Sequence, residues 1–152
     1  MTILAIDPGP VESAAVVIRK GIVTDARILP NEELLLAIHR QAQNRAYDAI
    51  VIEQIASMGM AVGAEVFATC QYTGRLWEAA RPLPVHFLPR SAVKMAICGH
   101  PRAKDGNIRQ ALIDRFGGPA AKKKGGVLHG FRKDLWQALA VGLAWLDGEV
   151  KP

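Results

Sequence analysis

Thr2-Ile-Leu-Ala-Ile-Asp7-Pro-Gly-Pro10 opens the chain, and its reading decides the fold. An apolar run over residues 2–6 that stops at Asp-Pro-Gly-Pro predicts a buried strand running into a turn, with an acid at its carboxyl end. Asp48-Ala-Ile-Val-Ile-Glu53 has the same form and predicts a second buried strand ending in an acid. Between them, residues 13–19 and 22–29 read as strands, and Lys20-Gly21 suits a tight hairpin turn. Pro30-Asn31 opens a helix, with Asn31 as N-cap, Glu32 and Glu33 at the positive end of the dipole, and Leu34, Leu35, Ile38 and Ala42 as its apolar face.

Residues 60–80 read as a helix with Val62, Val66, Phe67, Leu76 and Trp77 among its apolar side chains, although Gly63 and Gly74 weaken it. Pro84–Leu88 is a further strand, and Pro89-Arg90-Ser91 starts a short helix. Asp105–Phe116 is a helix, stopped by Gly117-Gly118-Pro119. Residues 117–130, rich in Gly and carrying Lys122-Lys123-Lys124, read as a mobile basic loop. A last helix covers about 132–146, with Leu135, Leu139, Leu143 and Leu146 at helical spacing. A hairpin start followed by alternating strands and helices gives an α/β fold, a mixed sheet with helices on its faces, in one domain spanning 1–152.

Composition narrows the class. A chain of 152 residues buries about 70% of its unfolded surface, so it needs no disulfide or metal to hold a core. Half the residues are hydrophobic and 22% are charged, which excludes global disorder. Cys70 and Cys98 form no C-x-x-C pair, which excludes a zinc ribbon or a thioredoxin-like motif, and each is expected in the core of a reduced protein. No apolar run reaches the ~18 residues of a membrane span. The N-terminus lacks a basic flank and meets an acid at position 7, unlike a secretory signal. The expected setting is the cytoplasm.

The net charge of +5 is distributed unevenly. Residues 81–133 carry twelve Lys or Arg against two acids, whereas the flanking segments are both net acidic. Arg102, Lys104, Arg109, Lys122, Lys123, Lys124, Arg132 and Lys133 in that stretch are candidate contacts to a phosphate backbone, which gives salt-sensitive, sequence-independent affinity. Arg109 and Asp105, four apart on one helix, are an expected ion pair. Phe131 is expected in the core, with a base-stacking or wedging role as the alternative.

Asp7 and Glu53 at the carboxyl ends of buried strands, joined by Asp134 at the head of the last helix, form a candidate catalytic and metal-binding set. Sites in open α/β sheets form at that edge. Hard oxygen ligands from separate elements suit Mg²⁺ or Mn²⁺. Two such ions can hold the attacking and the leaving oxygen of a phosphodiester displacement, leaving a 5′-phosphate and a 3′-hydroxyl.

Ile-Leu-Ala-Ile-Asp7-Pro-Gly, Ala-Ile-Val-Ile-Glu53-Gln and Asp134-x-x-x-Ala-Leu-Ala-Val together resemble the RuvC-type Holliday-junction resolvases of the RNase H-like superfamily. The stretches around Asp7–Ala14, Met58–Phe67 and Pro101–Asp114 look most like its phage and prophage branch. The resemblance implies a five-stranded mixed sheet flanked by helices. It also implies a divalent-metal endodeoxyribonuclease of recombination and repair, acting as a homodimer on four-way or otherwise branched DNA. RuvC proteins generally carry a second acid one turn along the final helix. Here that position is Gln137, which offers a carbonyl oxygen but no charge. Gln137 is therefore the candidate fourth metal ligand, with His129, Asp105 and Glu12 as substitutes. The other readings are a catalytically weak junction-binding protein, another RNase H-like nuclease such as one acting on RNA–DNA hybrids, and a sugar-kinase-type ATPase. The last is disfavoured by the single Gly after Asp7 and by the single domain.

Overall fold

A computed structural model describes residues 1–57 and 59–149. It contains β1 (Thr2–Asp7), β2 (Glu12–Arg19), β3 (Ile22–Pro30), α1 (Asn31–Gln43), β4 (Ala49–Gln54), α2 (Ala64–Ala79), β5 (Val85–Pro89), α3 (Arg90–Cys98), α4 (Asp105–Arg115) and α5 (Leu135–Glu149). A 3-10 turn, Pro119–Lys122, lies between α4 and α5. The strands form one sheet in the order β3-β2-β1-β4-β5. β1 and β2 pair antiparallel, as do β2 and β3, whereas β4 runs parallel to β1 and to β5. This is the five-stranded mixed sheet flanked by helices that the sequence implies.

Alternation along the strands sorts side chains onto two faces. Ile3 and Ala5 of β1, Val16 and Ile18 of β2 and Val51 of β4 face a core shared with α5. Leu4, Ile6, Ile50 and Ile52 face a second core closed by α1 and α2. Apolar burial on both faces explains why β1 and β4 read as unbroken apolar runs. The β2–β3 hairpin turns on Lys20 (φ 51°) and Gly21 (φ 78°), the paired positive values of a two-residue turn whose twist matches its strands.

α5 is the central helix. Leu135–Trp145 is buried on every side, between the sheet and helices α3 and α4. Gly142 sets how closely it lies on the sheet. A Cβ at Gly142 would fall 2.7 Å from both Ala5 Cβ and Ile18 Cδ1.

Several boundaries differ from expectation. α5 begins at Leu135, not near 132, because Lys133 takes a left-handed φ of 47° that no α-helix accommodates. Asn31 is not the N-cap of α1. Pro30 is, and Asn31 is the first helical residue with its side chain turned inward. α2 starts at Ala64 after extended Gly63, and it buries Thr69, Tyr72 and Leu76 while leaving Phe67 and Trp77 exposed. Cys70 is exposed rather than in a core, and Cys98 is half-buried, packed at the margin of the core under α5. Residues 117–130 contain no α-helix or strand, but Ala121 and Leu128 are buried there and Leu128 N donates to Ala121 O at 2.9 Å.

Gly142→Val forces backbone or side-chain shifts in a filled core, so it should lower stability by about 1–3 kcal/mol in a denaturant titration. Gly148→Ala, on the same helix with nothing within 4 Å of its Cβ, should be neutral or slightly stabilising.

Candidate active site

Asp7 ends β1, and the turn behind it is clamped by polar groups. Gly9 N donates to Ser13 Oγ at 3.1 Å, Ser13 Oγ to Asn31 Oδ1 at 2.7 Å, and Asn31 Nδ2 to Gly9 O at 2.9 Å. Tyr72 of α2 adds a bond from its hydroxyl to Asn31 O at 2.9 Å. Gly9 cannot carry a side chain, since a Cβ there would sit 2.4 Å from Glu12 O. Ser13 and Asn31 are buried and satisfied in this closed network, which fixes the direction in which the chain leaves Asp7.

Strand register brings the second acid alongside. Ile6 of β1 pairs with Ile52 of β4, so the next residues, Asp7 and Glu53, stand level on neighbouring parallel strands. By alternation both belong to the face covered by α5. There Asp134 sits immediately before α5, its carbonyl accepting the first helical bond from Ala138 N at 3.0 Å. Asp134 is therefore the residue that caps α5 rather than one within it, and Gln137 lies in the first turn. The spacing Asp134-x-x-Gln137 is also that of a capping box. Gln137 Oε1 has no hydrogen-bond partner, so it does not reach back to the cap. It is instead a buried, unpartnered acceptor on a residue only 6% exposed. Glu53 is 7% exposed, and its Oε2 is likewise buried without a partner.

These groups feel one another. Burial, then the charges of Glu53 and Asp134, push the Asp7 carboxyl up to about 8, against a small lowering by Arg90. Burial also raises Glu53, opposed by Arg90 and reinforced by Asp105 and Asp134. Arg90, the first residue of α3, places Nη1 3.6 Å from Glu53 Oε1 and Nη2 2.8 Å from Asp105 Oδ1. Lys94 Nζ stands 3.9 Å from the same Asp105 oxygen. The expected Arg109–Asp105 pair is thus replaced by Arg90–Asp105, and Arg109 lies over Trp136 with Cζ 5.1 Å from the ring centroid.

A cleft of about 540 Å³ opens beside Asp134 and Gln137. Of the proposed DNA contacts, Arg109, Arg132 and Lys133 line it. Arg102 and Lys104 are exposed in the α3–α4 connection, and Lys122, the last residue of the 3-10 turn, is exposed with Lys123 and Lys124 after it; none of the five lines the cleft. Arg90 does line it and escaped the sequence reading. Only the pairing of β5 with β4, which no local pattern announces, brings it beside Glu53. Asp105 is in the cleft wall, Glu12 lies 3.8 Å from Lys133 Nζ, and His129 is outside the lining.

The donor set fits a hard divalent cation. It is all oxygen, two of its atoms are buried without partners, and the burial and neighbouring negative charge that hold a proton on Asp7 are what a cation would offset. Among the described residues no three His, Cys, Asp or Glu side chains are arranged to hold one ion as they stand. Asp7, Glu53 and Asp134 would hold such an ion, with the Gln137 carbonyl oxygen available as a neutral donor.

The Asp7 shift has a consequence for stability. Its folded value of about 8 lies above the ordinary 3.8, so across that window the folded chain keeps a proton that the unfolded chain releases. The contribution is fully present below about pH 3.8 and is lost as pH rises through about 8, and Glu53 shifts in the same direction. In metal-free buffer, Asp7→Asn should therefore be more stable than the wild type above about pH 8. The difference should shrink toward about pH 4 in denaturant titrations. Parallel pH profiles for the two proteins would contradict this assignment.

No protein-family model matches the chain, and no curated protein does. Among solved structures, RuvC of Thermus thermophilus is 20% identical and superposes with a TM-score of 0.69 over 95% of this chain and 92% of that one. The same protein in complex with Holliday junction substrate gives 0.70 at 19% identity, with the same coverage. The yeast mitochondrial Holliday junction resolvase Ydc2 gives 0.62 at 12% identity over 95% of this chain and 77% of that one. The chain has the RNase H-like fold of RuvC.

Proposed function

We propose that this chain is a divalent-metal-dependent, structure-selective endonuclease that cuts phosphodiester bonds at four-way or otherwise branched DNA. It would be a crossover junction endodeoxyribonuclease of recombination and repair, of the phage and prophage kind its motifs resemble. The carrying observation is the pair Asp7 and Glu53, level on adjacent strands, facing α5 beside two buried unpartnered oxygens and a cation-lined cleft. Asp7, Glu53, Asp134 and Gln137 are the residues that would hold Mg²⁺ or Mn²⁺. Such ions supply an activated water for in-line attack and charge stabilisation at the leaving oxygen. Arg109, Arg132 and Lys133 bind the phosphate backbone at the cleft. Arg102, Lys104 and Lys122–Lys124 extend that positive surface beyond it.

The resemblance to RuvC supports a DNA substrate, and the site's proposed setting is the cytoplasm of a bacterial or phage-infected cell. No described helix is long and apolar enough to cross a membrane. A homodimer is supported by the far side of the molecule. Phe67 and Trp77 of α2 are 58% and 56% exposed, Met60 and Val62 lie exposed ahead of that helix, and an apolar groove bounded by Trp77 and Phe87 runs beside them. An apolar surface of this kind marks an interface.

Gln137 favours one second reading, a junction-binding protein with weak catalysis, because a neutral ligand contributes less to holding cations than a carboxylate. Cleavage of a fixed four-way junction beside linear duplex, with and without Mn²⁺, separates the two. Wild type should cut the junction selectively, Asp7→Asn should fall to background while still binding it, and Gln137→Asp should cut faster. Undiminished cutting by Asp7→Asn would sink the site. Binding without cutting by wild type would establish the second reading, and a preference for RNA–DNA hybrid would move the chain to another RNase H-like activity. In sedimentation equilibrium the wild type should be a dimer and Trp77→Glu should shift toward monomer.

A further inference from the structure

The cleft beside Asp134 holds more than a track for phosphates requires. Cations alone would grip a DNA backbone. This wall also contains Phe131 and Trp136, their ring centroids 5.2 Å apart. Trp136 is only 6% exposed and lies under Arg109, so its indole is already covered. Phe131 is half-buried, packed on the core yet lining the cleft. Of the two aromatic residues that line the cleft, Phe131 is the more exposed. The wall also includes Gly106, where a Cβ would meet nothing within 4 Å. Arg132 follows Phe131 directly, and neither it nor Arg109 has a carboxylate within ion-pair distance among the described residues. At about 540 Å³ the space is within the range of small-ligand sites.

We propose that this cleft is a nucleotide seat: one unpaired nucleotide of the bound DNA places its base against the Phe131 ring and its phosphate on Arg132 and Lys133. The inference rests on the reading of the chain as a nuclease of branched DNA, and it deepens that reading by naming the feature of the branch that is recognised. An aromatic face is useless to a stacked duplex, whose base faces are already covered. It rewards a base that has left the stack. Any base has a π-face, so the seat would favour an unpaired nucleotide at a branch point without selecting sequence. It also brings the neighbouring phosphate to cations directly before Asp134.

The test uses fluorescence anisotropy in EDTA, which removes cleavage from the readout. Two labelled four-way junctions are compared, one fully paired and one with a single extra unpaired thymine at the branch point. Wild type should bind the second roughly fivefold or more tightly, the scale of one base stacked on an aromatic ring. Phe131→Leu keeps an apolar side chain on Trp136 but removes the flat ring, and it should bind both junctions equally. Phe131→Tyr should restore the preference. Gly106→Leu, which narrows the cleft from another part of its wall without touching the core, should lose it independently of any effect at position 131. A preference retained by both Phe131→Leu and Gly106→Leu, or absent from wild type, overturns the seat. Cleavage of the paired junction in Mn²⁺ by the same wild-type sample separates the two failures. Cutting without the preference removes the seat and leaves the nuclease standing, whereas neither binding nor cutting removes both.

Discussion

Two carboxylates held level on adjacent parallel strands are the constraint on which this molecule's functional edge depends. Ile6 and Ile52 pair in the centre of the sheet, so Asp7 and Glu53 emerge together on one face. Burial there removes the water that would otherwise stabilise both charges, and the charges of Glu53 and Asp134 add to the cost of ionising Asp7. The fold meets this partly with Arg90, which lies between Glu53 and Asp105. Partly it meets it by keeping the Asp7 proton to about pH 8. A divalent cation, as proposed for this site, would offset that burial and charge.

The remaining parts of the edge are supports for that pair. The Ser13–Asn31–Gly9 network and the Tyr72 hydroxyl hold the turn after Asp7, so a helix on the opposite face of the sheet helps orient an acid on this one. Gly142 lets α5 settle against Ala5 and Ile18, which fixes the height at which its first turn arrives. That turn delivers Asp134 and the unpartnered Gln137 oxygen. Lys133, left-handed at φ 47°, makes the sharp entry that keeps Asp134 at the cap and leaves Arg132 and Lys133 in the cleft. α4 adds Arg109 over Trp136, and its exposed Arg115 pairs with Asp147 to tie α4 to α5.

The opposite side of the sheet carries a different kind of surface. α2 turns Thr69, Tyr72 and Leu76 inward and leaves Phe67 and Trp77 in solvent. Trp77 packs edge-on against Phe87 of the edge strand β5, with centroids 5.7 Å apart, so helix and strand form one continuous apolar surface. Association through this face would leave the acidic edge and its cations free for substrate.

The strands were legible because apolar runs and the acids that end them are local signals. Asp7 and Glu53 could be named from their places at the ends of β1 and β4, and Asp134 from its place before a long apolar helix. The resemblance to RuvC then supplied Gln137. Arg90 was not legible, because nothing local distinguishes an arginine after a strand from any other surface cation. Its meaning comes from β5 lying beside β4. Asn31 differs from expectation for the same reason: Asn before two glutamates has the local form of a cap, but a buried serine 18 residues earlier takes its side chain. The sequence by itself determined the elements, the mixed sheet and the acids at its edge, since these follow from periodicity and chain punctuation. Only the tertiary structure decided which cations join the acids, which oxygens lose their partners and which aromatic faces the cleft. Those depend on register and helix packing, which juxtapose residues far apart along the chain.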